Sequence, residues 1–326
     1  MTLQPFQPAS ETLVTVFGGS GFLGRHLIRA LARRGYRIRI AVRRPELAGF
    51  LQPLGRVGQI HAVQANLRHP GSVQAAMRGA DVAVNLVGIL HETGRQTFDT
   101  VQSVGADIIG QAATAAGARL VHVSALGADA GSASAYACTK AAGEAAVLAG
   151  RPDAVIFRPS IMFGPDDTFF NRFAALARFS PFLPLIGGGT TLFQPVFVGD
   201  VAAAVADAVD GKAMAGTIYE LGGPETRSFR ELMEYLLATI ERRRLLLPLP
   251  FGLASAVAGV LQYLPGRPLT PDQVALLRTD NIVSDDALRE GRTLSAFGIA
   301  PTTIEAVAPS YLWRFRKTGQ FRDSIA

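Results

Sequence analysis

Tyr136 and Lys140 stand four residues apart in Tyr136-Ala137-Cys138-Thr139-Lys140, within a segment of helical character. That spacing puts both side chains on one face, one turn apart. An adjacent ammonium favours the phenolate, so Lys140 is expected to lower the Tyr136 pKa and let the tyrosine act as a general acid/base near neutral pH. Ser124 lies twelve residues earlier, at the end of an apolar run, where its hydroxyl can bind a substrate carbonyl. Ser124, Tyr136 and Lys140 are the candidate catalytic set. Tyr136 and Lys140 can equally do no more than hold a cofactor, the lysine gripping a ribose. Cys138 points elsewhere on the helix, and packing explains it better than nucleophilic chemistry.

The ligand such a set would serve is written earlier in the chain. Leu13-Val14-Thr15-Val16-Phe17 is apolar and β-branched, and it runs into Gly18-Gly19-Ser20-Gly21-Phe22-Leu23-Gly24 before an amphipathic segment. Gly18 allows the sharp turn, Gly21 allows close approach of phosphates, and Gly24 allows tight packing of helix on strand. Ser20, Phe22 and Leu23 belong to the same turn, whose free N–H groups and helix dipole attract an anion. A glycine triplet alone is common. Between a strand and a helix it is the grip for the pyrophosphate of a dinucleotide.

The second strand ends Val42-Arg43-Arg44, with no carboxylate to repel a 2′-phosphate and two guanidiniums able to pair with one. NADP(H) is therefore expected over NAD(H). Asn66-Leu67 follows the third strand, where an asparagine can donate to and accept from an adenine. Val87-Gly88 follows the fourth, where the glycine lets the backbone approach the adenosine ribose.

The elements that must position these residues alternate. Strands are expected at 13–17, 37–42, 59–63, 82–86, 120–123 and 154–157, with helices at 21–34, 72–78, 98–116 and 135–148. This alternation predicts an α/β fold, a Rossmann-type doubly wound parallel sheet with its ligand at the carboxyl ends of the strands. After Gly164 the regularity decays into Pro-, Gly- and Phe-rich sequence. A dinucleotide-binding domain over 1–165 is expected, then a smaller C-terminal α/β substrate-side lobe over 166–326, interleaved with the last strands.

Composition narrows the setting. The chain has 326 residues, 48% hydrophobic and only 18% charged, so some apolar surface is expected to meet a partner or membrane. A net charge of +6 favours anionic partners, nucleotides and acidic lipid headgroups among them. No nucleic-acid motif accompanies the charge, and no Cys/His cluster has metal-ligand spacing. The single cysteine implies a reducing compartment. The first dozen residues resemble neither a secretory signal nor a transit peptide, so a cytoplasmic bacterial protein is expected.

Residues 245–266 carry no charge and follow Arg242-Arg243-Arg244. Pro248, Pro250 and Gly252 oppose a membrane span, and a helix over 251–264 would be about 21 Å long, short of a ~30 Å hydrocarbon core. The alternatives are an interfacial helix and a buried one. A small lobe needs its own core, which favours burial. Trp313-Arg314-Phe315-Arg316-Lys317 suits a headgroup boundary, an acidic partner or a solvated terminal helix.

Further segments carry a family resemblance. Arg158-Pro159-Ser160-Ile161-Met162-Phe163-Gly164-Pro165 resembles the segment that extended short-chain dehydrogenases place beside the nicotinamide, with Phe163 for the usual tyrosine; Pro159 and Ile161 are the contacts implied. Gln194-Pro195-Val196-Phe197-Val198-Gly199-Asp200-Val201 resembles their later strand-to-helix segment. With Asp167–Phe173 and Leu183–Gly189, the chain from Leu13 to Arg316 resembles the nucleotide-binding accessory subunit of respiratory complex I and its bacterial relatives. The resemblance implies tight NADPH binding and a structural or assembly role beside complex I subunits. Little or no turnover is implied, and a peripheral position on the cytoplasmic face of the bacterial inner membrane. The rival is a soluble NADP-dependent reductase or nucleotide-sugar epimerase/dehydratase using Ser124, Tyr136 and Lys140. A third reading is a regulator reporting the NADPH/NADP ratio.

Overall fold

The computed structural model describes residues 8–264 and 269–319. Seven parallel strands form the main sheet: β1 (Leu13–Phe17), β2 (Arg37–Val42), β3 (Ile60–Gln64), β4 (Val82–Asn85), β5 (Arg119–Val123), β6 (Val155–Pro159) and, later in the chain, β11 (Ile218–Leu221). Their order is β11-β6-β5-β4-β1-β2-β3. The order reverses between β1 and β4, which opens a crevice at their carboxyl ends.

Two helical layers bury the strands. On one face lie α1 (Phe22–Arg33) and α6 (Val198–Val209), packed on the Val14, Val16, Ile38 and Ile40 side. Leu23, Leu27, Ile28 and Leu31 recur at helical spacing and make the buried stripe of α1. On the other face lie α2 (Pro70–Met77), α3 (Val104–Ala116) and α4 (Ala135–Gly150), over Phe17, Ala83 and Leu120. The helix expected over 98–116 is interrupted: Asp99–Ser103 form a widened π turn before α3.

The lobe is built from α5 (Phe170–Phe179), α7 (Phe229–Thr239) and the 309–312 helix, around Phe163, Phe170, Phe193 and Phe229. Short strands stitch it together. β7 (Met162–Phe163) pairs with β10 (Val196–Phe197), β9 (Leu192–Phe193) with β12 (Arg227–Ser228), and β8 (Phe182–Ile186) with β13 (Leu245–Leu249). α8 (Phe251–Leu261) and α9 (Pro271–Leu276) share a small core of Ile186, Ala254, Ala258 and Val274. Burial of the 251–264 segment is thereby corrected. Only Ala254 and Ala258 of α8 are buried, because the helix has just one neighbouring layer, and Leu253, Val260, Tyr263 and Leu264 are exposed. Residues 265 and 266 of that apolar stretch lie outside the described residues. No described helix is long and apolar enough to cross a membrane.

Candidate functional site

The Leu13–Gly24 sequence folds as its spacing demands. Gly18 adopts φ +78°, and a Cβ there would meet the Leu86 carbonyl carbon and the Val87 nitrogen at 3.2 Å. A Cβ on Gly24 would stand 2.4 Å from the Gly19 carbonyl oxygen, so only glycine lets α1 start so close to the turn. A side chain on Gly21 would meet the Gly18 oxygen at 3.2 Å. The Gly21 backbone is extended, and the amides of the first turn of α1 have no side-chain cap. These are the donors an anionic pyrophosphate would use.

A cavity of about 280 Å³ opens at this turn. Gly18, Ser20, Gly21, Arg43, Asn66, Leu67, Val87 and Gly88 line it, as their positions after β1 to β4 require. Phe22 and Arg44 stand outside this lining, and Leu23 is buried in the main core. Arg68, Gln96, Thr100 and Val101 also line it and were missed. Arg68 is held by a local signal, since its N–H donates to Asn66 Oδ1 at 3.1 Å. Gln96 comes from an irregular stretch with no periodicity to read, and Thr100 and Val101 lie in a segment expected as regular helix, which the structure widens into a π turn.

Lys140, on α4, is buried outside the cavity lining and lies beside Gly88, which belongs to it. Its Nζ lies 3.3 Å from where a Gly88 Cβ would stand, and it donates to the Val123 carbonyl at 3.3 Å. Tyr136 lies one turn before, its ring centroid 6.0 Å from that ammonium and edge-on to Phe98. The Ser124 Oγ is buried at the end of β5 without a hydrogen-bond partner. Pro159 ends β6, and the Ile161 N–H donates to Asn281 Oδ1 at 3.1 Å. Asn281 also accepts from Ser160 Oγ and donates to the Leu126 carbonyl, so a residue of the lobe fixes both loops beside Ser124.

The electrostatics correct one expectation. Tyr136 is not activated by its lysine: burial pushes the phenol up to about 12, and the Asp272 carboxylate adds to the shift. Desolvation disfavours the phenolate, and the nearby carboxylate disfavours it further. Burial also brings Lys140 down to about 8, partly opposed by Glu144. At neutral pH the phenol keeps its proton and can donate it. Beneath them, Asn85 Nδ2 faces His122 Nδ1 at 3.0 Å, while Asn85 Oδ1 accepts from the Val87 N–H. The amide is thus oriented to donate to Nδ1, which leaves His122 Nε2 carrying the hydrogen, buried and unpartnered. Burial, then Lys140, brings the His122 pKa down to about 3. Glu144 takes a bidentate pair from Arg158 at 2.9 and 2.6 Å and anchors α4 to β6.

A glycine cradle, an ammonium at its inner end and an orphaned hydroxyl beyond it fit a nicotinamide dinucleotide. Such a group supplies or accepts hydride when bound. Gly18, Gly21 and Gly88 would let it approach, Lys140 would hold a ribose, and Ser124 with protonated Tyr136 would bind and protonate a carbonyl oxygen. No group of three or more potential metal ligands occurs among the described residues.

The family model for the NAD dependent epimerase/dehydratase family matches residues 14–222. The chain belongs to that family. Within it, the chain is 36% identical over 324 residues to the mitochondrial NADH dehydrogenase (ubiquinone) 1 alpha subcomplex subunit 9 of Arabidopsis thaliana, covering 95% of this chain and 79% of the relative. It is 39% identical over 191 residues to a ceramide reductase of Caulobacter vibrioides, covering 59% of each. Among solved structures, this family member shares its fold with the dTDP-glucose 4,6-dehydratase DesIV of Streptomyces venezuelae with NAD bound (TM-score 0.71, 21% identity, 93% and 96% covered). It shares it also with the UDP-glucose 4-epimerase of Thermus thermophilus in complex with NAD (0.67, 20%, 94% and 99%) and an NADPH-dependent quinone oxidoreductase of Escherichia coli with NADPH (0.71, 20%, 92% and 99%).

The two NAD-bound structures overturn the expected preference for NADP(H) over NAD(H). The fold is occupied by NAD in the dehydratase and the epimerase. Physically, Arg43 and Arg44 are exposed and only Arg43 lines the cavity. A pair of arginines in sequence is not a built phosphate site.

Proposed function

We propose that this epimerase/dehydratase-family protein holds a nicotinamide dinucleotide between β1 and β4 and serves as a structural or assembly component of respiratory complex I. It would act at the cytoplasmic face of a bacterial inner membrane with little or no turnover. The observation that carries this reading is the 36% identity to a complex I subunit across 95% of the chain, lobe included. Purification from native membranes, with identification of bound nucleotide and co-purifying proteins, tests it. Slowly exchanging nucleotide together with respiratory subunits supports it; nucleotide with none of those subunits defeats it.

A second reading is an NAD(P)-dependent reductase. The unpartnered Ser124 hydroxyl beside Tyr136 and Lys140 favours it, as does the likeness to a ceramide reductase. Fast nucleotide exchange with carbonyl-dependent oxidation of the reduced dinucleotide is its signature.

A further inference from the structure

We propose that the outer face of β13 and α8, with its rim of arginines, is a docking surface for an acidic lipid bilayer. On β13, Leu245 and Leu247 are 68% and 44% exposed and project to one side, while Leu246, on the other side, packs into the phenylalanine core. Leu249 continues the outward row and packs against the α8 core, so strand face and helix are contiguous. On α8 the exposed large apolar side chains are Leu253, Val257 and Val260, with Tyr263 and Leu264 beyond its end, a stripe at helical spacing. Phe182, paired in register with Leu245, and Phe179 extend the surface on the neighbouring segment.

Charge decides the occupant. Residues 168–199 and 242–264, within which this face falls, contain no aspartate or glutamate, and Glu241, just before the arginine run, pairs with Arg316. The two segments contain Arg172, Arg178, Arg242, Arg243 and Arg244. Burial first, and then the nearby Arg244 and Arg178 guanidiniums, depress the Arg242 pKa, so like charges are gathered here. Arg278 caps the other end, its guanidinium 4.5 Å above the Phe251 ring. A protruding apolar stripe suits a deformable hydrocarbon boundary, and a rim of one sign suits anionic headgroups. The inference is independent of complex I, since lipid binding and co-purification are separate readouts.

Flotation of the full chain with phosphatidylcholine vesicles, with and without phosphatidylglycerol, tests it. The wild type is expected to float with the acidic vesicles at low salt, to be released by high salt, and to bind neutral vesicles far less. Leu253→Asp/Val260→Asp should lose the binding. Arg178→Gln/Arg243→Gln should weaken it about 25-fold, at roughly fivefold per basic residue near an acidic surface. Near-ultraviolet circular dichroism and dinucleotide binding should be unchanged in both variants. Equal binding to neutral and acidic vesicles overturns the proposal, as does no binding to either or wild-type flotation by folded variants. It is equally overturned if the wild type forms a dimer that Leu253→Asp/Val260→Asp dissolves, or if only a co-purifying protein is lost from that variant.

Discussion

Asp272 accepts a hydrogen bond from the backbone N–H of Ala135 at 2.6 Å. Its other oxygen accepts from Ser134 Oγ at 3.0 Å. A carboxylate of α9 thus sits on the N-terminus of α4, the helix that presents Tyr136 and Lys140. A negative charge there pairs with unsatisfied amides and with the helix dipole. The lobe therefore fixes the first turn of the helix that bears the candidate catalytic pair.

Asp272→Ala should cost about 0.5–2 kcal/mol of stability, the usual worth of a helix cap, read by urea denaturation. Dinucleotide should also leave faster, because Lys140 rides on the same helix. Unchanged exchange would confine Asp272 to stability.

Lys140→Met should weaken dinucleotide binding at least tenfold by calorimetry, since the ammonium stands at the inner end of the cradle. Tyr136→Phe should leave that affinity and any complex assembly intact. Under the reductase reading the same variant abolishes turnover, so one substitution separates the two.

His122 gives a pH signature. Its folded pKa of about 3 lies below the ordinary 6.5, so the unfolded chain takes up the proton first. Its contribution is whole above pH 6.5 and is lost as pH falls from 6.5 toward 3, at no more than about 1.4 kcal/mol per pH unit. His122→Gln should flatten the loss of stability across that window. An unaltered slope would assign the loss to other groups.

Glu144→Ala would leave Arg158 facing the sheet without its bidentate partner. The glutamate side chain is 4% exposed and the arginine 24%, so a loss of about 3 kcal/mol is expected, the lower end for a broken buried pair. Denaturation of the single variant against Glu144→Leu/Arg158→Met measures it, with the double variant expected to recover part of the loss.

Gly24→Ala should destabilise by about 1–3 kcal/mol as α1 is forced off the turn, and should impair dinucleotide binding. Alanine at Gly150, at the far end of α4, where the backbone has no positive φ and a Cβ meets nothing within 4 Å, should leave dinucleotide binding intact and supplies the control.

The cradle was legible because each glycine answers a local backbone demand, and the first six strands because apolar residues, many of them β-branched, recur through each. What was not legible acts at a distance or through burial. Asp272 lies 137 residues from Ala135 and Asn281 lies 121 from Ser160, and no local pattern announces either contact. Ile218–Leu221 was missed as a strand because it is short and carries Glu220, whose carboxylate is satisfied by distant groups, Arg158 and the Ser284 N–H. The Tyr136 pKa was misjudged because a neighbouring charge is visible in sequence and desolvation is not. The same blindness hid the exposure of α8, whose residues read alike whether they face protein or water.

The pairing of β11 with β6 has a consequence for how such a chain can be divided. Between those neighbouring strands the polypeptide leaves the main sheet, builds much of the phenylalanine core, and returns through α6. A polypeptide cut soon after β6 would bare the Ile156 edge to any stray strand. The Glu220 amide, in turn, is bonded to the Arg292 carbonyl from the far end of the lobe. Neither half can be shed, swapped or borrowed without the other, so a shortened descendant would have to keep the lobe even if nothing ever bound there.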